Sequence, residues 1–230
     1  MKFYSDVLAQ IHHKFYGDIA KAASTVLCDK VSAPGLIYDL GCGSGIASKY
    51  ISEKGFEVIG CDISESMLAI AREQAPKVAF LNSSFLDLKL KPCKAILACG
   101  EIFNYLNSAK NNLQELGRFF IKCKQVVQKV FIFDILHIND EIPKTEKKKS
   151  VFDDYNIMVT KSYDEVRKTL VRHIEVSYKG ETYEEDHYIN LYELSDIINA
   201  LHTVGFNIQI LSSYNKVPPR NGHKVIVATP

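Results

Sequence analysis

Short apolar runs alternate with amphipathic stretches along most of the chain. The apolar runs predict buried strands, whereas the stretches between them place apolar residues at three- and four-residue steps, which predicts helices. The strand candidates are 36–40, 57–61, 78–81, 95–99, 130–134, 206–212 and 223–228, and the helix candidates are 44–54, 65–75, 109–127 and 192–203. Strands that alternate with helices predict a doubly wound α/β sheet.

Two regions depart from this alternation. Residues 3–27 carry apolar side chains on a helical period, which predicts one or two amphipathic helices before the first strand. Residues 155–159, 170–178 and 183–191 alternate with a period of two, which predicts an antiparallel β insertion. The three lysines at 147–149 precede this pattern, and we interpret them as part of a solvated linker.

The insertion contains one predicted hairpin with ionisable groups on its apolar face. If Lys179-Gly180 is a two-residue turn, Arg172 lies opposite His187, and Glu185 lies diagonal to Arg172. Such groups on an apolar face are typical of the wall of a substrate cavity. The other interpretation is an Arg–Glu pair with a hydrogen-bonded histidine that only sets the register, and the sequence leaves both open.

An acidic residue and three alternate glycines end the first predicted strand. Asp39 is followed by Gly41, Gly43 and Gly45, and glycines in such a strand-to-helix turn let a ligand lie against bare backbone. A phosphate-binding P-loop needs Lys-Ser or Lys-Thr after its last glycine, which this chain lacks. A dinucleotide fingerprint needs a sixth-position glycine, where this chain has Ile46. The loop therefore indicates a different nucleotide-like ligand.

A second acid ends the next predicted strand. Asp62 follows strand 57–61, and an acid at this position can accept both hydrogen bonds from a ribose diol. This feature by itself suits NAD and S-adenosylmethionine (SAM) equally. The alternative is an acidic helix cap with Met67 as a core residue.

Two stretches give the chain a family resemblance. With Asp39-Leu40-Gly41-Cys42-Gly43-Ser44-Gly45 and Asp62-Ile63-Ser64-Glu65-Ser66-Met67-Leu68, it resembles class I SAM-dependent methyltransferases. The resemblance implies a Rossmann-like, mostly parallel, seven-stranded sheet with an antiparallel last strand. It implies SAM as methyl donor, S-adenosylhomocysteine (SAH) as product, and no metal. One domain would span residues 1–230, with a helical cap over 1–30 and a β-rich, substrate-side insertion over about 138–191.

The same resemblance implies a set of cofactor contacts. The implied cofactor-binding residues are Tyr16, Asp39, Gly41, Cys42, Gly43, Asp62, Ile63, Met67, Ser84, Phe85 and Gly100. Ile63 and Met67 would pack on the adenine, and Gly100 would give the methionine part room to pass. Ser84 stands where many family members have an Asp for the adenine amino group, and Asp87 competes with it for this role.

A narrower resemblance covers the ends of the chain and the insertion. Residues 4–18 and Glu184-Glu185-Asp186-His187 are similar to segments of a group of bacterial small-molecule methyltransferases. In that group an Asp-x-x-x-x-Ile-His helix precedes the SAM domain, and a Glu-x-x-His strand lies in the insertion. The resemblance implies that the first helix closes over SAM and that His12, His13 and His187 lie inside the pocket.

Candidate catalytic residues follow from the chemistry of methyl transfer. A hydroxyl or protonated amine acceptor must lose a proton, and histidine is suited to take it at neutral pH. His187 and His12 are the candidate bases, and Tyr105 is a third candidate catalytic residue. Glu101, Asn104 and Tyr105 follow the fourth predicted strand at the sheet edge where ligands bind, so they are candidates to point into the substrate pocket. In the alternative interpretation, Asn104 and Tyr105 begin and pack a helix.

Composition narrows the function classes. The chain has 230 residues, 47% apolar content and a net charge of +1, which suits an enzyme domain without a nucleic-acid partner. It has no apolar run near the ~20 residues of a membrane span and no signal-peptide core. Six cysteines without a Cys-x-x-Cys pair predict a reduced cytoplasm and no structural zinc.

We therefore expect an enzyme that methylates O or N of a small molecule. The alternatives are a catalytically weak SAM-binding or regulatory protein, and a methyltransferase acting on protein or RNA. The sequence identifies neither the acceptor nor the oligomeric state.

Overall fold

The computed structural model describes residues 4–106, 112–140, 142–217 and 222–230. The helices are α1 (Asp6–Phe15), α2 (Asp18–Lys30), α3 (Ile46–Glu53), α4 (Glu65–Gln74), α5 (Asn112–Val126) and α6 (Leu194–Thr203). The strands are β1 (Leu36–Leu40), β2 (Glu57–Asp62), β3 (Ala79–Asn82), β4 (Cys93–Ala98), β5 (Val127–Leu136), β6 (Thr145–Phe152), β7 (Tyr155–Asp164), β8 (Thr169–Tyr178), β9 (Glu181–Asn190), β10 (Asn207–Leu211) and β11 (His223–Thr229). Two 3-10 turns are Phe85–Asp87 and Ile102–Tyr105.

Seven strands form the main sheet, in the order β10-β11-β5-β4-β1-β2-β3. β1 to β5 pair in parallel, and β11 runs antiparallel to both β5 and β10. Buried side chains of α2 and α3 cover one face, and those of α5 and α6 cover the other. The predicted Rossmann-like fold, including its antiparallel last strand, is confirmed.

Boundaries shift where polar residues interrupt an apolar run. β5 begins at Val127, three residues before the predicted start at Val130. The prediction began late because Gln128 and Lys129 are polar and exposed, so they interrupt the apolar run. Helix α5 is described from Asn112, and the predicted positions 109–111 lie outside the described residues.

The insertion is a separate four-stranded antiparallel sheet in the order β6-β7-β8-β9. The predicted hairpin is confirmed, since Tyr178 pairs with Glu181 and Arg172 pairs with His187. The linker predicted around the lysines 147–149 is wrong, because they lie in β6 and pair with β7. β6 is an edge strand and largely exposed, so its sequence shows little alternation of apolar and polar residues. Lysines on an edge strand also oppose pairing with other chains.

Helix α1 connects the two sheets. Its apolar residues Leu8 and Ile11 pack on Tyr155, Ile157 and Val176 of the insertion. Its other side faces the main sheet, where the ring of His13 lies 3.0 Å (Nδ1 to Oγ) from Ser44 in the glycine loop. The helix thus forms one side of the space between the sheets.

Candidate functional site

A cavity of about 520 Å³, the cofactor cavity, lies at the carboxyl ends of β1, β2 and β4. Most of the predicted cofactor residues line it: Gly41, Gly43, Asp62, Ile63, Met67, Ser84, Phe85 and Gly100. Ligands of open α/β sheets bind at this edge, so the position agrees with a nucleotide-like ligand.

The glycines at this edge do two different things. Gly43 (φ +52°) and Gly100 (φ +96°) border open space: a Cβ would lie 4.0 Å from its nearest neighbour at Gly43, and nothing lies within 4 Å at Gly100. Gly41 (φ +63°) and Gly45 (φ +76°) instead permit close packing, since a Cβ would lie 2.2 Å from Ile102 and 2.9 Å from a side chain of α4, respectively. Bare backbone therefore faces the cavity at Gly43 and Gly100.

Asp62 lines the cofactor cavity and fixes two backbone segments beside it. Its carboxylate accepts hydrogen bonds from the backbone N–H groups of Gly43 and Ser64, both at 2.8 Å. Burial raises the pKa of Asp62, and these hydrogen bonds partly oppose the rise. The acid thus fixes the glycine loop and the start of α4, and it lies beside Ile63 and Met67 in the lining. An acid, bare backbone and an apolar shelf in one cavity fit the ribose, methionine part and adenine of SAM.

Ser84 lines the cofactor cavity, and its hydroxyl accepts a hydrogen bond from the N–H of Leu86 at 3.3 Å. Asp87, the competing candidate, is exposed and is not among the lining residues. Among these two, only Ser84 is placed to contact a ligand there.

Three predicted cofactor residues lie elsewhere. Asp39 is buried behind the loop, where it accepts a hydrogen bond from Ser48 Oγ at 2.5 Å and so joins β1 to α3. Burial raises the pKa of Asp39 to about 7, although the bond from Ser48 lowers it. The Cys42 sulfur points toward Gly60 in the sheet. Tyr16 stacks on His12, with ring centroids 5.9 Å apart, and lines the second cavity described next.

A cavity of about 710 Å³, the acceptor cavity, lies between α1 and the insertion sheet. Much of its wall is apolar, including Leu8, Ile11, Ile157, Val159 and Ile174. A row of ionisable residues crosses the sheet in register and also lines it: Glu146, Lys161, Arg172 and His187.

The two cavities meet at three aromatic residues. Tyr4, His12 and Tyr105 line both cavities. The rings of Tyr4 and His12 contact edge to face at 5.1 Å. The structure therefore brings the candidates His12 and Tyr105 to the junction, and it places His187 in the acceptor cavity beside Tyr105.

Tyr105, His187 and Glu185 form a hydrogen-bonded chain. Tyr105 Oη lies 3.0 Å from His187 Nδ1, and His187 Nε2 lies 2.8 Å from Glu185 Oε1. Glu185 also accepts hydrogen bonds from the backbone N–H groups of Tyr4 and Ser5. Burial raises the pKa of Glu185, but the donors outweigh it and hold the pKa below its ordinary value. Because a carboxylate oxygen only accepts, His187 Nε2 donates to Glu185, and Nδ1 faces the Tyr105 hydroxyl.

A buried ionic cluster includes Arg172, which pairs with His187 across β8 and β9. Arg172 donates to both oxygens of Glu101, and His223 Nε2 lies 2.7 Å from Glu101 Oε2. Burial raises the pKa of Glu101, but Arg172 and His223 hold it well below its ordinary value. Burial lowers the pKa of His223, but Glu101 raises it further, so the net shift is upward. The Arg172–Glu185 pair that the sequence left open does not form.

The remaining candidates have packing roles. Asn104 is fully buried inside the turn Ile102–Tyr105, and its side chain bonds Leu136 of β5 and Asn190 of β9, so it neither starts a helix nor lines either cavity. His13, predicted inside the pocket, contacts Ser44 and is not a lining residue of either cavity.

His173, Glu175 and Glu184 bring possible metal-ligand atoms within 4.8 Å of one another. Strand alternation puts His173 and Glu175 on the face opposite Arg172, away from the acceptor cavity. The predicted absence of a metal stays a prediction. No helix in the described residues is long and apolar enough to cross a membrane.

Comparison with known proteins agrees with the class that fold and loop define. Residues 37–121 match a family model described as a methyltransferase domain. The matched residues include the glycine loop, Asp62 and Gly100, so this part of the chain is similar to methyltransferase domains.

Individual relatives cover different parts of the chain. A trans-aconitate 2-methyltransferase of Rhodopseudomonas palustris is 30% identical over 115 residues, which cover 49% of this chain and 45% of that protein. The chain matches less than two thirds of the length of the first curated relatives.

Two solved structures match nearly the whole chain. The CcbJ methyltransferase from Streptomyces caelestis superposes with a TM-score of 0.83 at 16% identity, covering 99% of this chain and 97% of that one. SAM-bound CalS10, an amino pentose methyltransferase from Micromonospora echinaspora, gives a TM-score of 0.74 at 13% identity and covers 100% and 98%. At these identities the similarity shows the fold alone.

Proposed function

We propose that this protein transfers a methyl group from SAM to an oxygen or nitrogen atom of a small molecule. The observation that carries the proposal is the junction of the two cavities at Tyr4, His12 and Tyr105. A donor in one cavity and an acceptor in the other would react there. The small-molecule acceptors in the names of the trans-aconitate and amino pentose relatives support the acceptor class.

When bound, SAM supplies a methyl group on a positively charged sulfur that is already activated for displacement. The chain's own task is therefore to align the acceptor and exclude water. Helix α1 and Tyr4 line the junction, and apolar residues of the insertion line the acceptor side. An apolar wall of this kind also strengthens the hydrogen bonds beside it.

The hydrogen-bonded chain at Tyr105 provides a path for the acceptor's proton. Tyr105 Oη takes this proton as its own hydrogen moves to His187 Nδ1. His187 then becomes a cation, which Glu185 stabilises through Nε2. Tyr105 and His187 are the catalytic residues of this proposal, and Glu185 is a positioning residue. His12 at the junction is the competing base.

Cofactor binding is tested first. Calorimetry with SAM and SAH is run on the wild type and on Asp62→Ala, and Asp87→Ala serves as an exposed acidic control outside the cofactor cavity. We expect the wild type and Asp87→Ala to bind and Asp62→Ala to bind at least about tenfold more weakly. A wild type that binds neither compound overturns the proposal.

Turnover is tested next, with a panel of small hydroxyl and amine acceptors and SAH formation as the readout. At saturating SAM we expect His187→Ala and Tyr105→Phe to lower the rate roughly 100-fold, which is in the range of general base catalysis. The dependence of the rate on pH should also change in both variants. Exposed His202→Ala is the control. A loss below tenfold for His187, Tyr105 and His12 variants alike removes the base role. Cofactor binding without turnover on any small molecule favours a binding protein or a macromolecular acceptor.

A further inference from the structure

Arg172 is a buried cation in the wall of the acceptor cavity. Its relative exposure is 7%, and it is one of the lining residues. Its two terminal nitrogens donate to the two oxygens of Glu101. Its Nε is also buried and has no hydrogen-bond acceptor among the residues that the structure describes. A buried hydrogen-bond donor without an acceptor costs free energy, so a ligand that supplies the acceptor is bound more tightly.

The geometry of guanidinium determines what that ligand group is. Pairing with Glu101 through both Nη atoms leaves a second edge, made by Nε–H and an N–H of the adjoining Nη. These two parallel donors match the two oxygens of a carboxylate. Glu101 is already engaged at both oxygens by Arg172 and His223, so the cluster presents donors to a ligand.

The neighbours of Arg172 place this edge in the acceptor site. His187 lies directly opposite it on β9, and Lys161 lies opposite it on β7. Lys161 is more exposed and is already paired with Glu146 at 2.5 Å. A carboxylate on Arg172 would therefore lie one strand from the proposed catalytic chain, with apolar surface from Leu8 and Ile174 alongside.

We propose that the methyl acceptor carries a carboxylate, which binds the Nε edge of Arg172, and an apolar body, which lies along α1 and the insertion sheet. This proposal rests on the function proposed above, because it assigns the acceptor of that same site. A carboxylate-bearing, amphipathic small molecule is thus the substrate class.

The test compares three probes of equal chain length: octanoate, octanamide and octan-1-ol. Each is titrated into the wild type by calorimetry, with saturating SAH and again without it. We expect octanoate to bind about tenfold more tightly than octanamide or octan-1-ol, because the charge-assisted hydrogen bonds of a carboxylate are stronger than those of a neutral group. Arg172→Lys keeps a cation beside Glu101 but lacks the fork, so its preference should fall below about threefold. Lys161→Gln is the matched control, and its preference should stay unchanged.

A second readout needs no variant. In isotope-labelled wild type, the Nε–H resonance of Arg172 should shift on addition of octanoate and not on addition of octan-1-ol. This measurement holds even if Arg172→Lys fails to fold. No shift at saturating octanoate overturns the inference, as does a preference that is lost in Lys161→Gln and kept in folded Arg172→Lys.

The two proposals fail separately. Absence of SAH binding defeats the proposed function, and the titrations without SAH still test the anion site. SAH binding with equal affinity for octanoate and octanamide defeats the carboxylate inference alone.

Discussion

The sharpest test of the cofactor cavity is Gly43→Ala. Gly43 has φ +52°, and an added Cβ would find its nearest protein atom, in Met67, 4.0 Å away. The substitution therefore makes no clash, but the left-handed backbone costs an alanine roughly 1–2 kcal/mol of stability. The new methyl group would lie where a ligand meets the bare backbone of the loop. Overfilling a close contact costs roughly 1–3 kcal/mol, which predicts about a tenfold to hundredfold loss of SAH affinity.

Gly55→Ala separates the effect on the cavity from the effect on the backbone. Gly55 has φ +88°, nothing lies within 4 Å of its added Cβ, and it is outside the cofactor cavity. Urea unfolding should show similar stability losses for Gly43→Ala and Gly55→Ala, while calorimetry should show weaker SAH binding for Gly43→Ala only. If folded Gly43→Ala binds SAH within twofold of Gly55→Ala, bare backbone at Gly43 does not contact the cofactor and the reasoning is refuted.

Two further predictions concern stability. Asn104→Ala removes three hydrogen bonds that include the N–H and C=O of Leu136, so urea unfolding should show a loss of roughly 2–4 kcal/mol, against less than about 0.5 kcal/mol for the exposed control Asn156→Ala. For Asp39, burial raises the pKa from 3.8 to about 7, although the hydrogen bond from Ser48 opposes the rise. Between these two pH values the carboxyl is ionised in the unfolded chain and protonated in the folded one, so the free energy of unfolding falls as pH rises. Asp39→Asn should therefore raise the free energy of unfolding at pH 8 by up to roughly 4 kcal/mol and change it little at pH 4, and equal effects at both pH values would contradict this assignment.

Local pattern was sufficient for the main sheet and insufficient for one edge strand. Strand β1 has the predicted bounds because four of its five residues are apolar or aromatic, most of the strand is buried, and glycines follow its end. Strand β6 was missed because exposed lysines at 147–149 carry no period of two. A strand is recognised in a sequence by its buried apolar side chains, and an edge strand such as β6 has few of them.

The candidate site was predictable where its residues are close in sequence. Asp62 and the glycine loop follow two adjacent strands, so their meeting follows from the order of the sheet. The pairing of Arg172 with His187 followed from one hairpin turn. Glu101 and His223 meet Arg172 from two distant segments, and no local pattern marks that contact. Only packing of the insertion against the main sheet brings them together.

Glu185 links the N-terminal segment to the histidine of the hydrogen-bonded chain. Tyr4 and Ser5 donate to the same carboxylate that orients His187. Displacing Tyr4 and Ser5 would therefore take two donors from Glu185 and expose its carboxylate to water, which would leave His187 without a fixed partner. In the proposed function, the order of the first described residues of the chain would thus set the readiness of a histidine that lies about 180 residues further along the sequence.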